Sequence, residues 1–253
     1  MKRSAGSVVL LLLAAFLMVS CGASGNMTPD GLLQRIAAAA ETVFSRQTEQ
    51  WKNTAASTIV DFDSLHKINS ELYAWLIIPG TSINAPIAQS ETENIAFYQS
   101  HGPDRSESEY GCLYTHYRYS DRRFDEKVSV IYGKTAVSVS CLDGIEETYR
   151  SLNSLRDHQD VFVVIADRVL HYQVFCASEF SDVLISRDYR DFQTEDDVTS
   201  FLLDVRSYHT LQRQFDEDAF PDAGDRILVL SKKLSRDADQ RFLVLAKLVD
   251  TAD

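Results

Sequence analysis

Three polar residues, Ser231, Lys232 and Lys233, close the apolar run RILVLSKK, and their types and spacing offer chemistry. On a strand, Ser231 and Lys233 project to the same face, because strand side chains alternate with period two. A serine beside a lysine that burial has stripped of its proton is a nucleophile with its own base. The two lysines also end a buried-sheet pattern with groups that are costly to desolvate. Sulfur offers a second chemistry through Cys112, Cys141 and Cys176. Three thiols at wide spacing define no disulfide framework, although one bridge fits the composition. None lies at C-x-x-C or H-x-x-x-H spacing, so neither a metal site nor any other cofactor is expected. Cys176 alternates with apolar neighbours in the manner of a core cysteine.

Such groups must be held by a fold, and 253 residues with 45% hydrophobic and 25% charged side chains suffice for one large domain with appendages. Lys2 and Arg3 precede the apolar run Val8 to Val19, the order of an export signal and too short to span a membrane. The run ends in LMVSC followed by GASG, which resembles a bacterial lipobox. That resemblance implies cleavage before Cys21, acylation of Cys21, and a tether to the outer face of the bacterial cell membrane. Without Lys2 and Arg3, roughly 23 basic residues face 37 acidic ones, a charge of about −14 that makes nucleic acid a poor partner.

Thr28 and Pro29 can cap and open a helix, and Leu33, Ile36, Ala37, Ala40, Val43 and Phe44 follow at helical spacing. Glu41, Gln47 and Glu49 mark its polar side, so packing on the domain is expected rather than a lysine-rich membrane-surface helix. From Asn69 onward, short β-type runs dominate: AWLIIPGTSINAPIAQ with its Pro79-Gly80 turn, GCLYTHYRY, KVSVIYG, DVFVVIADRVLHYQVFCASEF, RILVLSK and RFLVLAKLVD. Helical pieces intervene at Ile145 to Leu155 and Asp196 to Tyr208. Many strands with few βαβ units predict a closed antiparallel or mixed barrel. The expected divisions are 1–20 signal peptide, 21–28 lipidated cysteine and spacer, 29–66 helical segment and 67–253 barrel.

INSELYAWLIIPGTSINAPIAQ followed by AFYQSHG resembles the opening of a class B sortase. GCLYTHYR, VSVIYGKT, RDYRDFQTEDDVTSFL, and ILVLSKK with RFLVLAKL resemble that family's later landmarks in order. The resemblance covers roughly Ile68 to Leu248 and implies a mainly β fold with helices, a sortase-type closed β-barrel behind an N-terminal helix. Sortases are cysteine transpeptidases in which a thiolate, a histidine and an arginine form and resolve a thioester. Carried over by position, the histidine falls on Lys134, the cysteine on Lys233 and the arginine on Arg241. His116 lies near a family aspartate, and His101 and His158 match histidines without catalytic roles. Relatives keep a serine at the place of Ser231 while using cysteine.

An amine that attacks a peptide carbonyl yields an amide as stable as the substrate, so Lys233 does not replace a thiol. An unperturbed lysine, with a pKa of roughly 10.4, is protonated at neutral pH and does not replace imidazole. The expectation is a non-catalytic, class B sortase-like envelope lipoprotein that binds a peptide or an anion. Its partners would be an envelope protein or sorting-signal-like peptide, including an active sortase, with the membrane met through the lipid on Cys21. Lys134, Lys232, Lys233 and Arg241 would gather at one groove and attract a carboxylate, a phosphate or an acidic peptide. In the plainer alternative the lysines turn into water and meet Asp237 or Asp239. The enzymatic alternatives are a sortase with a displaced nucleophile, such as Cys141, and a serine-lysine hydrolase using Ser231, with Lys134 opposite it. A lysine serving as amine acceptor for a true sortase is a further alternative.

Overall fold

The computed structural model describes residues 28–44, 50–91, 97–134, 142, 144–210, 212–222, 224–234, 237 and 239–252. Residues 1–20, expected as a signal peptide, and Cys21 and Cys141 lie outside them. Among the described residues no helix is long and apolar enough to cross a membrane.

Helix α1 (Pro29–Val43) begins where its sequence predicts: the Thr28 hydroxyl accepts the Gly31 amide at 3.3 Å, and Pro29 occupies the first turn. Its buried side chains, Leu33, Ile36 and Ala40, are the expected apolar face. They pack with Phe44, Trp51 and the short helices α2 (Ala56–Ile59) and α3 (Phe62–Ile68) against the outside of the sheet. A polar clamp fixes the contact. Asn84 accepts the Trp75 indole N–H at 2.7 Å and donates to the Ala37 carbonyl at 2.8 Å. The helical segment is thus part of the domain's packing, and it runs to Ile68, two residues past its expected end.

The sheet contains β1 (Leu72–Ile77), β2 (Asn84–Ala88), β3 (Leu113–Tyr114), β4 (Val128–Gly133), β5 (Asp160–Ile165), β6 (Arg168–Ser181), β7 (Arg213–Phe215), β8 (Ile227–Lys233) and β9 (Gln240–Ala252). Eight strands pair in the cyclic order β5-β1-β2-β3-β4-β8-β9-β6, closed by β5 against β6, with β7 added on β6. The predicted mixed barrel is therefore present: β2–β3 and β4–β8 are parallel and the remaining pairs antiparallel. Inward residues such as Leu76, Ile87, Ile131, Leu170, Leu230 and Val244 fill its core. A side chain of this kind contributes about 1.5–3 kcal/mol when fully buried.

A third apolar layer lies outside β4, β6, β8 and β9, beneath the helix Glu195–Ser207, and is formed by Phe180, Phe201, Val205 and Ile227 among others. The capping box at Thr194 and Asp197 starts that helix. Burial on both faces explains why these strands read as continuous apolar runs rather than alternating ones. It also relocates Cys176. The thiol is core, as expected, but a register shift between Val174 and Cys176 takes it out of the barrel-lining phase and into the outer layer. GCLYTHYRY, expected as a strand, contributes only the two residues of β3.

Candidate functional site

Strand pairing assembles the site. Parallel β4 and β8 align Gly133 with Lys232, so Lys134 and Lys233 emerge at the same rim of the barrel. Antiparallel β8 and β9 set Lys233 opposite Arg241. Gly133 is needed where it stands, because a Cβ there would lie 2.7 Å from Leu113 and 2.9 Å from Leu142. Gly111 has φ +68°, and a Cβ there would lie 2.3 Å from the Tyr98 carbonyl oxygen. Lys134, Lys233 and Arg241 line one pocket of about 240 Å³ with Tyr114, Tyr132 and Asp182. A second pocket of about 210 Å³ shares Tyr114, Tyr132, Asp182 and Arg241 and extends the groove toward His116 and Leu184.

The charges in this groove are not a bare cationic cluster. Asp182, just past the end of β6, accepts Lys233 Nζ at 2.8 Å and Arg241 Nε at 2.5 Å. Burial alone would raise the Asp182 carboxyl, but the Lys233 hydrogen bond and the charge and hydrogen bond of Arg241 outweigh it and hold the group below the usual carboxylate range. Arg241 also donates to Ser231 Oγ at 3.2 Å and lies 5.4 Å from the centre of the Tyr132 ring. Lys134 donates to the Glu109 carbonyl at 3.4 Å. Burial pushes up both the Tyr132 and the Tyr114 phenols, so each remains a neutral hydroxyl. The Tyr132 hydroxyl is buried with no hydrogen-bond partner among the described residues. Tyr114 accepts from Gln99 at 3.0 Å.

Several expectations are corrected. Lys232 is not in the groove: it shares the inward phase of Leu228 and Leu230, is 4% exposed, and is ion-paired with Glu146 of helix α4 (Ile145–Thr148). The pleat that puts Ser231 and Lys233 on one face necessarily sends Lys232 to the other. Lys233 is half-exposed, but its carboxylate is Asp182 rather than Asp237 or Asp239. The Asp237 carboxylate accepts the Asp239 amide at 3.0 Å, and the Asp239 carbonyl accepts the Asp182 amide at 2.9 Å, so this loop positions Asp182 instead of pairing with lysine. Ser231 is fully buried and bonded to Arg241, which leaves a substrate no path to its hydroxyl.

Among the described residues, the thiols and imidazoles make no catalytic pair with the lysines. Cys112 contributes to the pocket wall, but it is buried, with Sγ 3.7 Å from the Pro86 carbonyl. Burial pushes the Cys176 thiol up, the opposite of activation. His116 reaches the groove, where burial, then the charge of Arg118, holds its pKa below the usual value, and its Nδ1 accepts the Arg118 amide at 3.2 Å. His101 stacks on Phe97 with ring centroids 3.9 Å apart, and His158 Nδ1 is 3.0 Å from the Ser154 carbonyl. No group of three or more metal-ligating side chains occurs among the described residues.

Sequence reasoning missed Asp182, Tyr114, Tyr132 and Gln99. The only signal for Asp182 was an acid directly after the β6 run. Its use depends on the β6–β9 register, which pairs Phe180 with Arg241.

The fold that carries this groove has counterparts among known proteins. Staphylococcus aureus sortase B is 22% identical over 191 residues, 74% of each chain. The solved structure of a Staphylococcus aureus sortase B–substrate complex matches with a TM-score of 0.66 at 20% identity, covering 86% of this chain and 94% of that one. A Streptococcus pyogenes class B sortase involved in pilus biogenesis matches with a TM-score of 0.62 at 22% identity, covering 75% of this chain and 98% of that one. No protein-family model matches the chain. The chain has the fold of the class B sortases.

Proposed function

We propose that this protein is a non-catalytic, class B sortase-like lipoprotein of the cell envelope that binds a peptide segment in the Lys134–Arg241 groove and serves as an accessory to an active sortase or its substrate. One observation carries the reading: lysines stand at the ends of β4 and β8 where the family resemblance expects imidazole and thiol, and both line the groove. A primary amine in the nucleophile's place leads to a stable amide, so no labile acyl intermediate turns over. The likeness to a sortase B solved with its substrate supports a peptide as the occupant. The lipobox-like LMVSC supports a tether at Cys21 on the outer face of the bacterial membrane.

The experiment is to incubate the purified protein with a sorting-signal peptide and an amine acceptor and to follow cleavage and ligation by mass spectrometry. Peptide binding without turnover is expected. Turnover that disappears on Cys112→Ala, Cys141→Ala or Ser231→Ala would replace the accessory reading with an enzyme using a displaced nucleophile. Mass labelling of the protein after treatment with palmitate bearing a chemical tag, lost in Cys21→Ala, tests the anchor.

A further inference from the structure

Three cations around one pocket would ordinarily draw carboxylates and phosphates, because charge-assisted hydrogen bonds from lysine and arginine are the stronger kind. Here the fork between Lys233 and Arg241 is already filled by the chain. Asp182 uses one carboxylate oxygen for each, at 2.8 Å and 2.5 Å. It is held there from two sides: it directly follows β6, and its amide donates to the Asp239 carbonyl in the β8–β9 connection. Its side chain is 23% exposed, within a groove whose walls include the phenols of Tyr114 and Tyr132, the amide of Gln99 and the imidazole of His116.

We propose that Asp182 is the resident anion of this groove, a specificity-determining residue that occupies the acceptor position between Lys233 and Arg241 and so turns away carboxylate and phosphate ligands in favour of uncharged amide groups. An incoming anion would have to displace a carboxylate tethered at high effective concentration, and would meet its charge at contact distance. A neutral amide faces no such competition. The Tyr114 hydroxyl, which accepts from Gln99 on the same wall, keeps its own O–H to donate to the amide carbonyl. The choice of a peptide amide over an anion rests on the binding role proposed above; the occupancy of the cationic fork does not.

The test uses inorganic phosphate, independent of any peptide or turnover. Full-length protein in detergent is titrated with phosphate at constant ionic strength and binding is followed by calorimetry. The wild-type protein is expected to show no binding at millimolar phosphate. Asp182→Asn and Asp182→Ser are both expected to bind it at least about tenfold more tightly. Adding Lys233→Met to either should abolish the gain, and Asp182→Glu should behave as wild type. Circular dichroism selects whichever of the Asn and Ser variants keeps the native spectrum. Phosphate binding by the wild type as tight as by those variants, or no gain in a folded variant, overturns the proposal. A protein that binds no peptide yet shows the phosphate gain refutes the accessory role and leaves the resident anion standing.

Discussion

Lys232 and Lys233 are neighbours in sequence and opposites in circumstance. Lys232 points into the mouth of the barrel, nearly inaccessible, against Glu146. Lys233 points outward, its side chain 49% exposed, against Asp182. Chemically the two pairs are the same, an ammonium facing a carboxylate. The difference is solvent at the ammonium: Lys233 is half in water and can exchange partners, whereas Lys232 is buried and depends on Glu146, the two carboxylates being about equally exposed at 25% and 23%. Identical side chains on adjacent residues of a strand can therefore hold the fold together on one face and form a binding site on the other.

The largest expected effect breaks the inner pair. Lys232→Ala removes the partner of Glu146, whose own side chain is 25% exposed, and should cost about 1–3 kcal/mol of unfolding free energy in urea, whereas replacing both partners by apolar residues of similar volume should recover most of it. A loss under about 1 kcal/mol would mean that water already reaches the barrel mouth.

Next is Glu126, two residues before β4 at the other end of the barrel. Burial, then the neighbouring Asp121, raises its carboxyl to about 7. The folded chain thus keeps a proton that the unfolded chain releases near 4.5. That contribution is complete below the unfolded value and is lost as pH rises through the folded one. Glu126→Gln should leave the thermal midpoint unchanged at pH 4.5 and raise it by a few degrees at pH 8, a shift of the order of 1 kcal/mol. Equal midpoints at pH 8 would sink the assignment.

At the outer pair, Asp182 has a lowered pKa, so its contribution is present above the unfolded value and is lost as pH falls through the folded one. Asp182→Asn should cost roughly 1 kcal/mol at neutral pH and flatten the acid limb of stability below about pH 4. An unchanged acid limb would show that Asp182 does not titrate with folding.

The smallest effect is expected for Lys233→Ala, under about 1 kcal/mol, because the pair is half in water and Arg241 retains the carboxylate. A cost matching that of Lys232→Ala would erase the distinction between the two faces.

Much of the fold was legible before any coordinates. Thr28 and Pro29 announced α1, the Pro79-Gly80 turn separated β1 from β2, and the apolar runs ending at Gly133 and Lys233 proved to be β4 and β8. The brevity of β3 was not legible, because GCLYTHYRY has strand composition and only its backbone pairing decides how much of it joins the sheet. Nor was the layer of Cys176, since a bulge changes the phase of a strand without changing its residue types. At the site, Lys134, Lys233 and Arg241 could be found by position, but Asp182 could not, because the acids nearest in sequence to Lys233, Asp237 and Asp239, turned out to shape the loop.

Residue order by itself determined which chemical groups this chain can present: amines and a guanidinium at three strand ends, thiols dispersed among apolar neighbours, and an acidic balance overall. Tertiary structure alone decided which charges meet. The pleat sent Lys232 inward, and the β6–β9 register brought Asp182 to Lys233 and Arg241 across 50 or more residues of chain. Electrostatic energy falls off with distance through space and with exposure to water, and neither quantity is written in the spacing of residues along a chain.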